Sequence, residues 1–356
     1  MAGKVTIDDI ARMMGKSKGL VSMALANKYG VSEEMRAQIV MTAVRMGYEF
    51  KTKKNGADGS RSSGRKKVFV CFDRSMLEDT SYWMELICNV ERHLQKRGIF
   101  TQIYGMEYGK DEEQLVTDFY RSGCVGMITF GPSLTPRETE DLLSLNRPVV
   151  LIDSDSVLLS GTGSIHIKAA NYNGAYDAMR YLFDRGHRRI CFVGDCSREE
   201  TFAERRDGAL RFVERCETPI ELTAVDRSLS AGISEYVNLE QLYAQLKTGN
   251  ATAYLCANDA IAARVYVAAE ELSLRIPDDI SVMGFDNATS SRWLRPALTT
   301  CAVDRDRLAT MAGDMLLLHL KSTEVDDDRL FSGIKVEIPV TVTERDSVGA
   351  PRDAGT

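Results

Sequence analysis

The sequence predicts an α/β protein in which two doubly wound subdomains of parallel sheet follow a small all-α N-terminal domain and a basic linker. Three observations point there. Apolar residues recur at helical spacing in three short capped segments within the first fifty residues. From residue 68 onward, short β-branched runs alternate with long amphipathic stretches in two successive sets. Between these parts the charge inverts: residues 1–67 hold 14 Lys and Arg against 6 Asp and Glu, whereas residues 68–356 hold 31 against 45.

A chain of 356 residues exceeds one ordinary core and suggests two or three compact units, and 44% hydrophobic residues can fill their interiors. A basic segment on an acidic body suggests an arm that faces nucleic acid, although a solvated face alone would give the same split. The eight cysteines show no Cys-x-x-Cys spacing, and most sit in apolar runs such as VFVCF, ICFVG and YLCAN. They read as reduced core thiols. There is no signal-peptide pattern and no run near about 18 uninterrupted apolar residues, so a cytoplasmic location is expected.

Thr6 is placed to cap a first helix whose opening turn carries Asp8 and Asp9, with Ile7, Ile10, Ala11 and Met14 on one face. Gly15 supplies the turn. Ser17 caps a second helix, with Leu20 or Val21, Ala24 and Leu25 facing inward. A third starts at Ser32 with Glu33 and Glu34, buries Met35, Ile39 and Ala43, and stops at Gly47. Such a trio can support a helix-turn-helix. The second helix then lays its N-terminal turns in the major groove of double-stranded DNA, where Lys18, Gly19, Ser22 and Met23 would meet bases. Asn27, Lys28 and the helix ends would hold phosphates, and Thr6, Ser17 and Tyr48 complete the DNA-binding candidates. A three-helix accessory or oligomerisation module would show the same helices.

Residues 51–67, KTKKNGADGSRSSGRKK, hold seven Lys and Arg, one Asp and three Gly, with no aliphatic residue larger than Ala57. They cannot bury themselves and read as a flexible, positively charged tether.

In the body, VFVCFD (68–73), FTQIYG (100–105), GMITFG (126–131) and PVVLID (148–153) form one set of strands. RICFVG (189–194), IELTAV (220–225), TAYLCA (252–257) and ISVMGF, starting at Ile280, form the second. Strands alternating with helices imply parallel sheets covered on both faces, with a ligand crevice beyond the strands' carboxyl ends. No G-x-G-x-x-G follows a strand, and G-x-x-x-x-G-K-[ST], G-x-S-x-G and H-E-x-x-H are absent. The four histidines are scattered. No enzyme activity, cofactor or metal is expected.

The segment VTIDDIARMMGKSKGLVSMALANKYGVSEEMRAQIVMTAVRMGY resembles the headpiece of the LacI/GalR family of bacterial transcription regulators. Val5, Thr6, Asp9, Ile10, Ala11, Gly15, Ser17, Val21, Ser22, Asn27, Val31, Ser32, Arg36, Gly47 and Tyr48 match its pattern. Two positions depart: Met23 stands where members usually place an arginine that reads guanine, and Gly19 where a longer polar side chain often reads a base. The linker also lacks the Pro-Asn step and the leucine of the family's hinge helix, so a minor-groove wedge and central kink are not expected.

The body resembles the same family's effector domain, which is similar to periplasmic sugar-binding proteins. The segments NYNGAYDAMRYLFDRGHRRICFVGD, ERRDG, CANDAIAARVYVAAEELSLRIPDDISVMGFDN, PALTT and IPVTVTERDS carry the match. The resemblance implies three crossings between subdomains, near 168–171, 303–306 and 333–336. It therefore implies an N-subdomain of about 68–169 and 305–333, a C-subdomain of about 170–304 and 334–346, and a hinged cleft. The tail from 347 to 356 reads as disordered.

Cleft candidates are polar residues just beyond strand ends. Arg205 is a planar five-donor group, and Asn258 and Asp286 can pair with vicinal hydroxyls; matched positions contact effector in the family. Each alone is also what a helix cap or turn would carry. On the other wall stand Asp73 and Ser75 with the aromatic pair Tyr82 and Trp83, while Phe130, Asp153 and Asn171 complete the lining. Ala170 replaces an aspartate common before this asparagine. The expected function is a sequence-specific DNA-binding regulator, a repressor, acting as a homodimer on a near-palindromic operator under a sugar-like or nucleoside-like effector. A small-molecule sensor with weak or non-specific DNA binding, and a Rossmann-like enzyme, are the rival readings.

Overall fold

The computed structural model describes residues 4–48, 50, 66–79, 81–107, 109–110, 112–131, 134–145, 147–154, 164–197, 200–225, 237–322 and 333–352. Almost all of the linker (51–65) and the acidic stretch 324–329 lie outside them.

The N-terminal helices are α1 (Ile7–Met14), α2 (Lys18–Leu25) and α3 (Glu33–Arg45). Thr6 and Asp9 form a reciprocal capping box on α1, Gly15 ends it at φ 61°, and Ser17 and Ser32 accept backbone N–H groups at the starts of α2 and α3. Ile10, Ala11, Val21, Ala24, Ile39, Val40, Ala43 and Val44 fill the interior. Leu20, Leu25 and Met35 are only half-buried. Arg36 is buried too, because its guanidinium donates to the carbonyls of Ala24 (2.9 Å) and Lys28 (2.6 Å) at the end of α2. Ala24 lies in the last turn of α2 and Lys28 just beyond it, so a cation there complements the negative end of the dipole.

The body holds β1 (Lys67–Asp73), α4 (Met76–Asp79), α5 (Ser81–Lys96), β2 (Phe100–Met106), α6 (Glu112–Ser122), β3 (Gly126–Phe130), α7 (Pro136–Leu143), β4 (Val149–Ile152) and β5 (Ile165–Ala169). There follow α8 (Asn171–Asp184), β6 (Arg189–Val193), α9 (Glu200–Arg215), β7 (Glu221–Val225), α10 (Leu239–Thr248), β8 (Ala253–Cys256) and α11 (Asp259–Glu271). The chain ends with β9 (Ser281–Asp286), a 3-10 turn at Thr289–Arg292, β10 (Thr299–Val303), α12 (Arg305–Ser322), β11 (Ile334–Ile338) and β12 (Val340–Thr343).

Two six-stranded sheets result, ordered β11-β5-β4-β3-β1-β2 and β12-β10-β9-β8-β6-β7, so the second repeats the first strand for strand. Pairs from β1 through β5, and from β6 through β10, are parallel, whereas β12 runs antiparallel to β10. The eight expected strand runs all lie on these ladders. β5, β10, β11 and β12 flank the crossings and carry no equally plain apolar run.

The chain divides into two compact units. Unit 1 comprises residues 1–76, 87–167 and 309–336; unit 2 comprises 77–86, 168–308 and 337–356. The start of α5 therefore belongs with unit 2. The expected disordered tail needs correction over 347–352: the Ser347 hydroxyl donates to the Val282 carbonyl and accepts from Thr299 N–H, and the Gly349 carbonyl lies 3.0 Å from Nε2 of the buried His187. Hydrogen bonds rather than apolar burial hold this polar segment, so composition could not reveal it.

Candidate DNA-reading face and effector-binding cluster

Ser17, Lys18, Gly19, Ser22, Met23, Asn27 and Lys28 are all exposed, while Val21 and Ala24 on the opposite face of α2 are buried. The N-terminus of α2 presents unsatisfied N–H groups and the positive end of its dipole, which suits a phosphate. Met23 is 37% exposed and offers a base only apolar contact. Lys18 is paired with Asp8 at 2.7 Å, an exposed contact that a phosphate can displace. The Thr6 hydroxyl is exposed but engaged in its capping box with Asp9.

Asn27 and Tyr48 are placed differently from their neighbours. Asn27 adopts φ 55°, and its Nδ2 donates to the Arg121 carbonyl at 3.4 Å. Tyr48 is half-buried and packs edge-on against Phe50 at 5.3 Å, so its ring is committed to packing. Sequence reasoning missed Tyr29, which is fully exposed beside Lys28, and Met13, which is 69% exposed. An aromatic in a turn directly after the second helix was the available signal.

In unit 2, three expected residues, Arg205, Asn171 and Asp286, meet in one buried polar cluster. Arg205 on α9 donates from Nε to Asn171 Oδ1 (2.9 Å) and from a terminal nitrogen to the Ala257 carbonyl (2.6 Å). Its other terminal nitrogen pairs with Asp286 at 3.0 Å, and the guanidinium lies 3.8 Å from the Phe285 ring centroid. Three of its five N–H donors thus have protein partners. Arg205 thereby braces Asn171 and Asp286, and its remaining N–H donors keep the expected fork onto a ligand chemically possible. Asn171 also donates to Glu204, which pairs with the buried Lys168.

Asp286 sits at the carboxyl end of β9 with φ 100°, followed by Asn287 at φ 52°; Asp153 follows β4 with φ 51°. Non-glycine residues in this backbone region are uncommon and gather at functional sites. Burial pushes the Asp286 carboxyl up, opposed by Arg205 and Arg305. Behind it, Asp259 is buried on α11, accepting from Thr300 and Ala288 N–H, and burial followed by Asp286 pushes it up to about 8. Gly284 leaves room for it, since a Cβ there would overlap its carboxyl oxygen. Asn258 accepts Ile261 N–H at 2.8 Å through Oδ1 and so caps α11, leaving its amide NH2 as the group able to face a ligand.

Tyr82 and Trp83 form an edge-on pair at 5.0 Å, with Tyr82 buried. Arg305, which sequence reasoning missed, links them to the cluster. It lies 5.5 Å over the Tyr82 ring, pairs with Glu85, and donates to the backbone carbonyls of Asp286 and Asn287. An arginine opening a helix carries no local sign of such partners. In unit 1, Asp73 at the end of β1 accepts from the Ser75 N–H and hydroxyl, Phe130 is fully buried at the end of β3, and Asp153 is buried after β4. Asp195 and Ser197 repeat the Asp73–Ser75 turn after β6. Among the described residues, no helix is long and apolar enough to cross a membrane, and no group of three or more His, Cys, Asp or Glu could hold a metal.

The sequence pattern of the periplasmic binding protein-like domain matches residues 179–348. The HTH-type transcriptional repressor PurR of Photorhabdus laumondii is 27% identical over 350 residues, 96% of either chain. Along nearly its whole length the chain is similar to repressors of the LacI/GalR type. Solved regulators share the fold. The lac repressor dimer bound to operator and an anti-inducer superposes with a TM-score of 0.64 at 20% identity, covering 98% of this chain and all of that one. A LacI family regulator from Enterococcus faecium with bound ribose gives 0.63 at 20% identity, covering 81% and 100%.

Proposed function

We propose that this protein is a sequence-specific DNA-binding transcription repressor of the LacI/GalR family, acting as a homodimer, whose operator affinity is set by a small polyhydroxylated effector. The observation that carries the reading is the open face of α2: Ser17, Lys18, Gly19, Ser22 and Met23 are exposed together on a helix whose other face is packed. Two such helices on a two-fold dimer read two half-sites of a near-palindrome. The PurR relatives are named as repressors, which supports the sign of the regulation. The ribose and cellobiose of the Enterococcus faecium and CelR complexes support a sugar-like effector. Thr6, Ser17, Lys18, Ser22, Met23 and Lys28 form the DNA side. Within unit 2, Asn171, Asn258 and Asp286, with Tyr82 and Trp83, form the effector side, braced by Arg205. As a DNA-binding repressor the protein works in the cytoplasm and catalyses no reaction.

Selection from randomised duplexes at fixed salt tests this. An enriched palindrome is expected. Uniform binding that only weakens with salt would leave a small-molecule sensor without sequence readout.

A further inference from the structure

The N-terminal domain is held on unit 1 by a built interface, and its seat is α6. Glu113, Tyr120 and Arg121 recur at spacings of seven and eight, which places them on one helical face. The Tyr120 hydroxyl donates to the carbonyl of Leu25, the last residue of α2. Its ring packs on Phe50 at 5.4 Å, and Phe50 packs on Tyr48 at 5.3 Å, so three aromatic rings run from α3's end to α6. Beneath them Arg147 stacks on Phe119 and Tyr120 and donates to the carbonyls of both residues. Ile39, Val44 and Phe50 share one continuous apolar core with Leu115 and Phe119.

Charge fixes the register. Glu33 at the start of α3 pairs with Arg121 at 2.6 Å, while Arg45 at its end pairs with Glu113 at 2.8 Å. The acid lies on the headpiece in one pair and on the body in the other, so reversing the helix or sliding it along α6 would bring like charges together. Asn27 adds a hydrogen bond to the Arg121 carbonyl. The contact uses the C-terminal end of α2, where Arg36 from within the headpiece and Tyr120 from the body donate to carbonyls of its last turn. Lys18, Gly19, Ser22 and Met23 at the other end remain exposed.

We propose that α6 is a docking seat for this chain's own headpiece, which caps the second helix from the body and leaves its reading face open. The headpiece then approaches DNA as a rigid extension of unit 1, and whatever displaces α6 displaces α2 directly. That consequence for DNA rests on the function proposed above, whereas the seat itself does not.

The test follows amide hydrogen exchange in the full-length protein, without DNA. Glu33→Arg and Arg121→Glu are each expected to speed exchange about two- to fivefold in both 33–46 and 112–122, the range that an exposed ion pair sets. The double reversal restores the slow rates. Tyr120→Phe, which keeps the ring, speeds exchange at 26–28 alone. Both ion-pair residues lie at the surface, so unaltered exchange in β1 and β3 certifies that each variant is folded. Changes confined to the segment carrying the substitution, or no recovery in the double variant, would overturn the seat. Added duplex DNA is expected to slow exchange at 17–23 while 112–122 stays slow; faster exchange at 112–122 on DNA would overturn the rigid approach and leave α6 as a storage site.

Discussion

Asn258 shows how one side chain can hold a helix cap and still keep a donor. The Oδ1 of Asn258 caps α11, and only its NH2 is available to a ligand. An aspartate caps as well as asparagine but offers no donor. Asn258→Asp is therefore expected to keep the ligand-free melting temperature within a few degrees and to lose most of the stabilisation that an added effector gives in a thermal-shift panel of sugars and nucleosides. Asp286→Ala removes an acceptor but also leaves Arg205 a buried cation without its carboxylate, so there a lower ligand-free melting temperature is expected as well. At the DNA side, Met23 is exposed with room for a longer group. Met23→Arg adds a bidentate donor at a position proposed to face a base, and selected half-sites should gain a guanine favoured by about 1–3 kcal/mol, measured by competition between operators at fixed salt.

At the scale of elements, α8 and α9 lie so close that a Cβ on Gly208 would overlap the Tyr172 backbone. The R-x-x-G spacing thus sets two things together: Arg205 reaches Asn171 on α8 because Gly208, nearly one turn later, lets the helices touch. Gly208→Val should cost about 1–3 kcal/mol or more in chemical denaturation and, by parting the helices, also weaken effector binding. This close approach was hidden in the sequence, where ERRDG offers an arginine and a glycine but no partner. The caps were open to reading, because Thr6, Ser17 and Ser32 act on N–H groups three residues away. Arg36 was not, since its carbonyl partners lie eight and twelve residues away, on or just beyond another helix. The same distinction separates Asn171, named through the family resemblance around it, from Arg305, whose role depends on a carbonyl 19 residues away and on a ring on α5.

Over the whole molecule, the C-terminal segment closes unit 2, and a titratable group holds it. Arg345 donates to Ser291, Leu298 and Asn287, Ser347 bridges β9 to Thr299, and His187 meets Gly349 and Thr252. Burial lowers the His187 pKa from 6.5 to about 4, against the hydrogen bond to Gly349, which raises it. The unfolded chain then takes up this proton near pH 6.5 and the folded chain only near 4, so the unfolded state binds more protons between these values. Stability should fall as pH drops through that window, by up to about 3 kcal/mol, and this part of the loss should end below pH 4. Denaturation of wild type and His187→Gln at pH 7 and 5 checks it: the variant should lose less on acidification. The sequence by itself determined the alternation of strands and helices, the repeat of one half by the other, the three capped N-terminal helices and which face of α2 is open. Each follows from periodicity or from a hydrogen bond spanning a few residues. Only the tertiary structure decided that Arg205 braces Asn171 and Asp286, that Tyr120 caps α2, and that residues 347–352 are held in place. These contacts join segments tens to more than a hundred residues apart, and no local pattern records a partner at that distance.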